Sequence, residues 1–176
     1  MKMLDLFAGL GGASQAMKLR GWDVTTLELE AKFKPDLCMS IADYHPKEGE
    51  FDFVWASPPC TEFSRESMPW CRTGKIPSLD LLGEAIRVIV EAKPKFWAIE
   101  NVRGSIKYFT PILGEPRIRA SPVFVWGELP DSVPRKIKVA PWKTKLSSKD
   151  HAKRSMIPMP ISLAVAEGLE VELRRK

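Results

Sequence analysis

An apolar run over residues 2–8 stops on the cluster Gly9-Leu10-Gly11-Gly12 and gives way to a helix-like segment over 13–20. A strand that turns through glycines into a helix leaves few architectures open. The following strand must return parallel to the first and bury the helix against the sheet. Gly21 closes the helix as a residue tolerant of the left-handed cap, and a strand rich in Val, Thr and Leu resumes over 23–29. Further strands are expected near 37–41 and over 51–56, 96–99 and 123–126. A helix over 79–92 follows from the stripe Leu82, Ala85, Ile86, Ile89 and Val90, and a last helix from the pattern over 161–173. Residues 61–77 carry no period and read as a long loop. The alternation predicts an α/β fold, a doubly wound, mostly parallel sheet with helices on both faces. Ligands of such sheets bind beyond the carboxyl ends of the strands.

Composition narrows the class. The 176 residues, 44% hydrophobic and 28% charged, suit one folded domain rather than a disordered chain. No stretch of eighteen apolar residues occurs, which argues against a membrane-spanning helix or a membrane partner. Asp5 interrupts any short apolar signal core, so a cytoplasmic location is expected. Cys38, Cys60 and Cys71 are odd in number and lack CxxC spacing, so neither a disulfide framework nor a metal site is expected. The net charge is 27 − 22 = +5. Much of the excess sits in Arg135, Lys136, Lys138, Lys143, Lys145, Lys149, Lys153 and Arg154, opposed only by Asp150. Such a run is either a solvated loop or a polyanion contact in which Lys and Arg displace counterions from phosphates.

Three positions carry chemistry. The turn Asp5-Leu6-Phe7-Ala8-Gly9-Leu10-Gly11-Gly12 lets backbone approach a nucleotide-like ligand. Glu28 follows Gly9 by 28 − 9 = 19 residues, where an acid can bind ribose hydroxyls, with Glu30 also available. The third glycine of a dinucleotide fingerprint is missing, which favours an adenosine without a pyrophosphate. In Pro58-Pro59-Cys60-Thr61-Glu62-Phe63-Ser64 the prolines force the chain out of the sheet. Cys60 there is either a strand-end nucleophile or a buried structural thiol. Glu100, in Glu100-Asn101-Val102, ends the apolar strand 96–99. It either shares a cleft with Cys60 or caps the following turn.

Together these motifs resemble the cytosine-C5 DNA methyltransferase family, in a short form. Later matches are Arg117-Ile118-Arg119 and Ser155-Met156-Ile157-Pro158. The resemblance implies a Rossmann-like methyltransferase fold and S-adenosylmethionine as cofactor. Phe7, Ala8, Gly9, Gly11, Glu28, Leu29, Ile41, Pro59, Leu81, Ser155 and Ile157 would bind that cofactor. Cys60 would attack C6 of cytosine, Glu100 would protonate N3, and Arg119, helped by Arg117, would hold the base O2 or orient the nucleophile. The basic segment, with Trp142 inside it, would contact DNA.

The chain departs from the family pattern at Ser40, Thr61 and Glu115, and has Arg154-Ser155 where Gly-Asn is usual. The family's target-recognition domain has no room within residues 120–154. Low sequence specificity, or specificity from a partner subunit or self-association, is therefore expected. One branch of the family methylates tRNA, which leaves RNA as an alternative substrate; a non-catalytic nucleic-acid-binding relic is another reading. The chain is expected to be a single catalytic domain over 1–176. Its core would be 1–127, its basic proline-rich segment 128–155, and its closing motif and helix 156–176.

Overall fold

The protein is described here by a computed structural model covering residues 1–68, 70, 72–139 and 156–175. Seven strands form one sheet: β1 (Lys2–Leu6), β2 (Asp23–Glu28), β3 (Leu37–Cys38), β4 (Phe53–Ala56), β5 (Phe96–Val102), β6 (Ile118–Ala120) and β7 (Val123–Glu128). Their order is β3-β2-β1-β4-β5-β7-β6. The first five are parallel, while β7 runs antiparallel to both β5 and β6. The strand order reverses between β1 and β4, the switch point at which doubly wound sheets open a crevice. Register brings the right loops there. Leu6 pairs with Ala56, and Ala56 with Ile99, so the segments after β1, β4 and β5 leave the sheet side by side.

The strands are apolar on both faces because both faces are covered. Met3, Phe53, Trp55, Ala98 and Val125 face α1 (Gln15–Leu19) and α5 (Met159–Leu173). Leu4, Leu6, Val54, Ala56 and Ile99 face α3 (Asp80–Ala92) and α4 (Ile106–Leu113). By the period of two, Asp5 and Glu100 fall on the α1/α5 side. The fold class and most elements agree with the sequence reading.

The segment 61–77 is the main correction. It begins with a helix, α2 (Thr61–Ser67). Phe63, 4% exposed, anchors it by meeting Phe109 edge-on with ring centroids 5.2 Å apart. One buried anchor among polar residues leaves no period to detect. Helix α4 was also unpredicted, since Pro111 stands inside it and proline ordinarily marks a helix end. Among the described residues no helix is long and apolar enough to cross a membrane.

Helix α5 docks on α1 through polar contacts as well as apolar ones. Ser162 Oγ donates to the Ala13 carbonyl at 2.6 Å and accepts from the Ala16 N–H at 3.1 Å. Glu170, 5% exposed, accepts two bonds from the Arg20 guanidinium at 2.8 Å each and one from the Trp22 indole at 3.1 Å. These donors hold its carboxyl down at about 2. With the folded value below the unfolded one, the stabilisation is complete above the unfolded value and lost as pH falls through the folded one. Glu170→Gln is expected to cost about 2 kcal/mol at neutral pH. Urea titrations of parent and variant should converge as pH is lowered from 5 towards 2, and a constant gap would contradict the assignment.

Candidate active site

The turn after β1 is held under strain. Phe7 has φ 59°, Gly9 51° and Gly11 73°. A left-handed phenylalanine costs roughly 1–2 kcal/mol, and such outliers gather at functional sites. Glu28, at the end of β2, fixes the turn: Oε2 accepts the Gly9 N–H at 3.0 Å, while Oε1 accepts those of Leu29 and Glu30 at 2.8 and 3.2 Å. The Gln15 side-chain amide completes the closure: Nε2 donates to the carbonyls of Gly12 at 2.8 Å and Ile157 at 3.0 Å. A hollow of about 50 Å³ opens here, lined by Asp5, Phe7, Ala8, Gly9, Ser57 and Ile157 among others.

Asp5 escaped the sequence reading. It is 1% exposed, and neither carboxylate oxygen meets hydrogen-bond geometry with any partner. Burial lifts its carboxyl to about 6, against smaller downward pulls from neighbouring Ser14 and Lys18. The legible signal was an acid at an inward position of an apolar strand directly before a glycine turn.

Cys60 stands at the N-terminus of α2. Burial pushes its thiol up, the Glu100 charge pushes it further, and a hydrogen bond with Ser64 acts the other way. Glu100, 8% exposed, is lifted by burial to about 7 against a downward pull from a Ser57 hydrogen bond. The Trp55 indole donates to Ser57 Oγ at 2.8 Å, which leaves the Ser57 proton free to point at Glu100. Asn101, fully buried, ties the two loops together by donating from Nδ2 to the Pro58 carbonyl at 2.9 Å. The Cys60 loop and Glu100 are therefore held at neighbouring strand ends, beside the glycine hollow that Ser57 also lines.

The family model described as C-5 cytosine-specific DNA methylase matches residues 1–108. The chain belongs to this family. The frog virus 3 protein described as a probable DNA (cytosine-5)-methyltransferase is 32% identical over 114 residues, covering 57% of this chain and 53% of that protein. Type II methyltransferase M.NgoMIV of Neisseria gonorrhoeae is 30% identical over 113 residues, 57% of this chain and 35% of that one. Type II methyltransferase M.SacI of Streptomyces achromogenes is 39% identical over 61 residues, 33% and 15%. The matched region thus spans about half, or less, of these relatives' lengths.

The remaining positions singled out by likeness to the family are dispersed. Pro59 and Leu81 line a second hollow of about 340 Å³, walled by Phe63 and Phe109. Ile41 is buried in the core and Leu29 is 68% exposed. Arg117 is engaged elsewhere: Nη2 donates to the carbonyls of Pro130 and Val133 at 2.9 and 2.8 Å. Arg119 pairs with Glu115 at 2.6 Å. Both arginines thus take partners other than Cys60 and Glu100, Arg117 in the segment after β7 and Arg119 just ahead of β6. Arg135, Lys136 and Lys138 are exposed. Trp142, Lys143, Lys145, Lys149, Lys153, Arg154 and Ser155 lie outside the described residues.

Proposed function

We propose that this chain transfers the methyl group of S-adenosylmethionine to C5 of cytosine in DNA, with Cys60 as nucleophile and Glu100 as the proton donor to N3. The observation that carries this reading is the pairing of Ala56 with Ile99 and the Asn101–Pro58 hydrogen bond, which set the loop bearing Cys60 beside the strand end that bears the buried Glu100.

The residues present fit the cofactor. A buried carboxylate at Asp5, near Ser14 but with no hydrogen bond of full geometry among the described residues, suits a cationic group, and the α-ammonium of an amino-acid-bearing ligand supplies one. Phe7, Ala8, Gly9 and Ile157 surround that position. Gly11 shapes the turn and Glu28 stands at the end of β2 where ribose hydroxyls would lie. Leu29, Ile41, Pro59 and Leu81 would border the adenosyl end; Ser155, also expected to bind the cofactor, lies outside the described residues. The bound cofactor supplies an electrophilic methyl group.

C5 of cytosine is a weak nucleophile. The Cys60 thiolate forms a bond to C6, the C5–C6 π electrons move towards N3, and the Glu100 proton goes to N3. C5 becomes enamine-like and able to accept a methyl group. Loss of the C5 proton then restores the double bond and expels the thiolate. C6 is covered in the duplex, so the base must leave the stack. About thirty residues, 129–158, separate β7 from α5, too few to fold a second core. DNA contact then falls to the basic segment Arg135–Arg154 and Trp142, with low specificity or specificity lent by a partner. We read residues 1–176 as one cytoplasmic catalytic domain.

Tritiated methyl transfer from S-adenosylmethionine, run on duplex DNA and on tRNA, tests the reading. Label should enter DNA, and DNA containing 5-fluorocytosine should trap a covalent complex. Label in tRNA alone would overturn the DNA assignment. Bisulfite mapping to one long defined site would overturn the low specificity.

A further inference from the structure

Arg87 lies on α3, six residues after Leu81, and its five N–H donors are all engaged. Nε donates to Glu84 Oε2 at 2.8 Å, and Nη1 to Glu91 Oε2 at 2.9 Å. Both glutamates belong to the same helix. From there the guanidinium reaches a separate piece of chain, the 3-10 turn Ile41–Asp43 and the residue after it. Nη2 donates to the Ile41 carbonyl at 2.7 Å and to that of Tyr44 at 3.1 Å, and Nη1 donates to Tyr44 as well, at 3.1 Å. His45 closes the outer side, with Nδ1 3.0 Å from Glu91 and 3.3 Å from Arg87 Nη1.

Among the described residues, Arg87 is the one side chain from outside the turn that hydrogen-bonds its carbonyls, while Ile41 and Tyr44 pack into the same core as α3. The turn's other hydrogen bonds are local: Ala42 to the Ser40 hydroxyl, Asp43 to the Ser40 carbonyl, and Tyr44 to the Ile41 carbonyl. Ile41 is its apolar anchor, 4% exposed. A planar fork with five donors can bridge two carbonyls and two carboxylates at once, whereas a lysine ammonium has three donors around one point.

The geometry points to Arg87 as the positioning residue that sets the gap between the Ile41 turn and the first turn of α3, and through that gap the affinity for the adenosyl end of the cofactor. The inference rests on the cofactor reading above, in which Ile41 and Leu81 border that end. Arg87 touches no reacting atom, so its loss should act on binding and leave the chemical step alone.

The test is calorimetric titration of S-adenosylhomocysteine into the parent, Arg87→Lys, the double variant Glu84→Ala/Glu91→Ala, and Val88→Ala. Val88 is fully buried on the same helix, and its truncation weakens packing while leaving every Arg87 hydrogen bond to the turn in place. Arg87→Lys is expected to raise the Kd about tenfold, the loss of one to two charge-assisted hydrogen bonds. KM for S-adenosylmethionine should rise in step while kcat at saturation stays within about twofold. The glutamate double variant keeps the guanidinium but frees it, and should raise the Kd about threefold. Val88→Ala should lower Tm with the Kd unchanged. Parent-like Kd values in Arg87→Lys or, should that variant not fold, in the glutamate variant would overturn the proposal. A parent that fails to bind S-adenosylhomocysteine would overturn the cofactor reading itself, a different result from a parent that binds with Arg87 variants unaffected.

Discussion

Cys60→Ser is expected to abolish methyl transfer and covalent trapping while leaving the fold intact, since the replacement removes only polarisability and acidity from a half-buried position. The thiolate is the active form, and a serine hydroxyl cannot approach the same ionised fraction near neutral pH. A serine variant that methylates like the parent would sink the mechanism. The resting thiol is poorly prepared: burial and the Glu100 charge both raise it. Its ionisation is therefore tied to the state of Glu100, which gives a pH signature. Glu100 is effective when protonated and titrates at about 7, while Cys60 is effective when ionised and titrates above its ordinary value. Below the Glu100 value the rate should climb with pH, because thiolate grows while the acid stays protonated. Above it the two fractions change in opposite directions and the profile should flatten. Glu100→Gln should lower single-turnover rates by about 10²–10⁴-fold. The break near neutrality should vanish with it, so that the rate keeps climbing through that range. A Gln variant retaining the break would assign it to another group.

How far the sequence alone reaches can be judged at particular residues. The strands, the glycine turn and the strand-end placement of Cys60 and Glu100 follow from period, punctuation and the rule that parallel strands end together. What escaped were residues whose roles depend on partners far along the chain. Asp5 reads in the sequence as the break in a would-be signal core and the first residue of the glycine motif, yet it is a buried acid lining the hollow. Glu170 interrupts the apolar pattern of α5 because Arg20 and Trp22, 150 and 148 residues away, receive it. Arg87 lies beside the apolar stripe of α3 and grips a turn more than forty residues earlier. For Asp5 and Glu170 a charged residue in an apolar setting was the visible signal, and for all three only the fold identifies the distant partner or site. Arg117 teaches the converse. The motif marks its position, but only the fold shows that Nη2 donates to two backbone carbonyls after β7 while buried Nη1 has no hydrogen-bond partner among the described residues.

Gly12→Ala is expected to be the most damaging single-methyl change in the cofactor region. Gly12 does not use the left-handed backbone, so alanine meets no conformational obstacle there. The obstacle is space: an added Cβ would lie 2.5 Å from the Ile157 nitrogen, 3.1 Å from its carbonyl oxygen and 3.2 Å from the Met156 carbonyl carbon. All three are backbone atoms and none can rotate aside. The segment before α5 must therefore lift off the glycine turn, which breaks the Gln15 bridge between Gly12 and Ile157 and draws the buried Ile157 side chain out of the core. Overpacking of this kind costs about 3 kcal/mol, readable as a fall in the urea midpoint. Lifting the segment also admits water to Asp5, so its carboxyl should drop from about 6 towards the usual carboxylate range in an NMR titration. S-adenosylhomocysteine should bind more weakly for the same reason. Gly83→Ala is the control: nothing lies within 4 Å of its would-be Cβ, and within helix α3 the change should be neutral or stabilising by about 0.5–1 kcal/mol. Equal effects of the two substitutions would mean that the closing segment is not seated on the turn, and that the hollow beside Asp5 owes nothing to it.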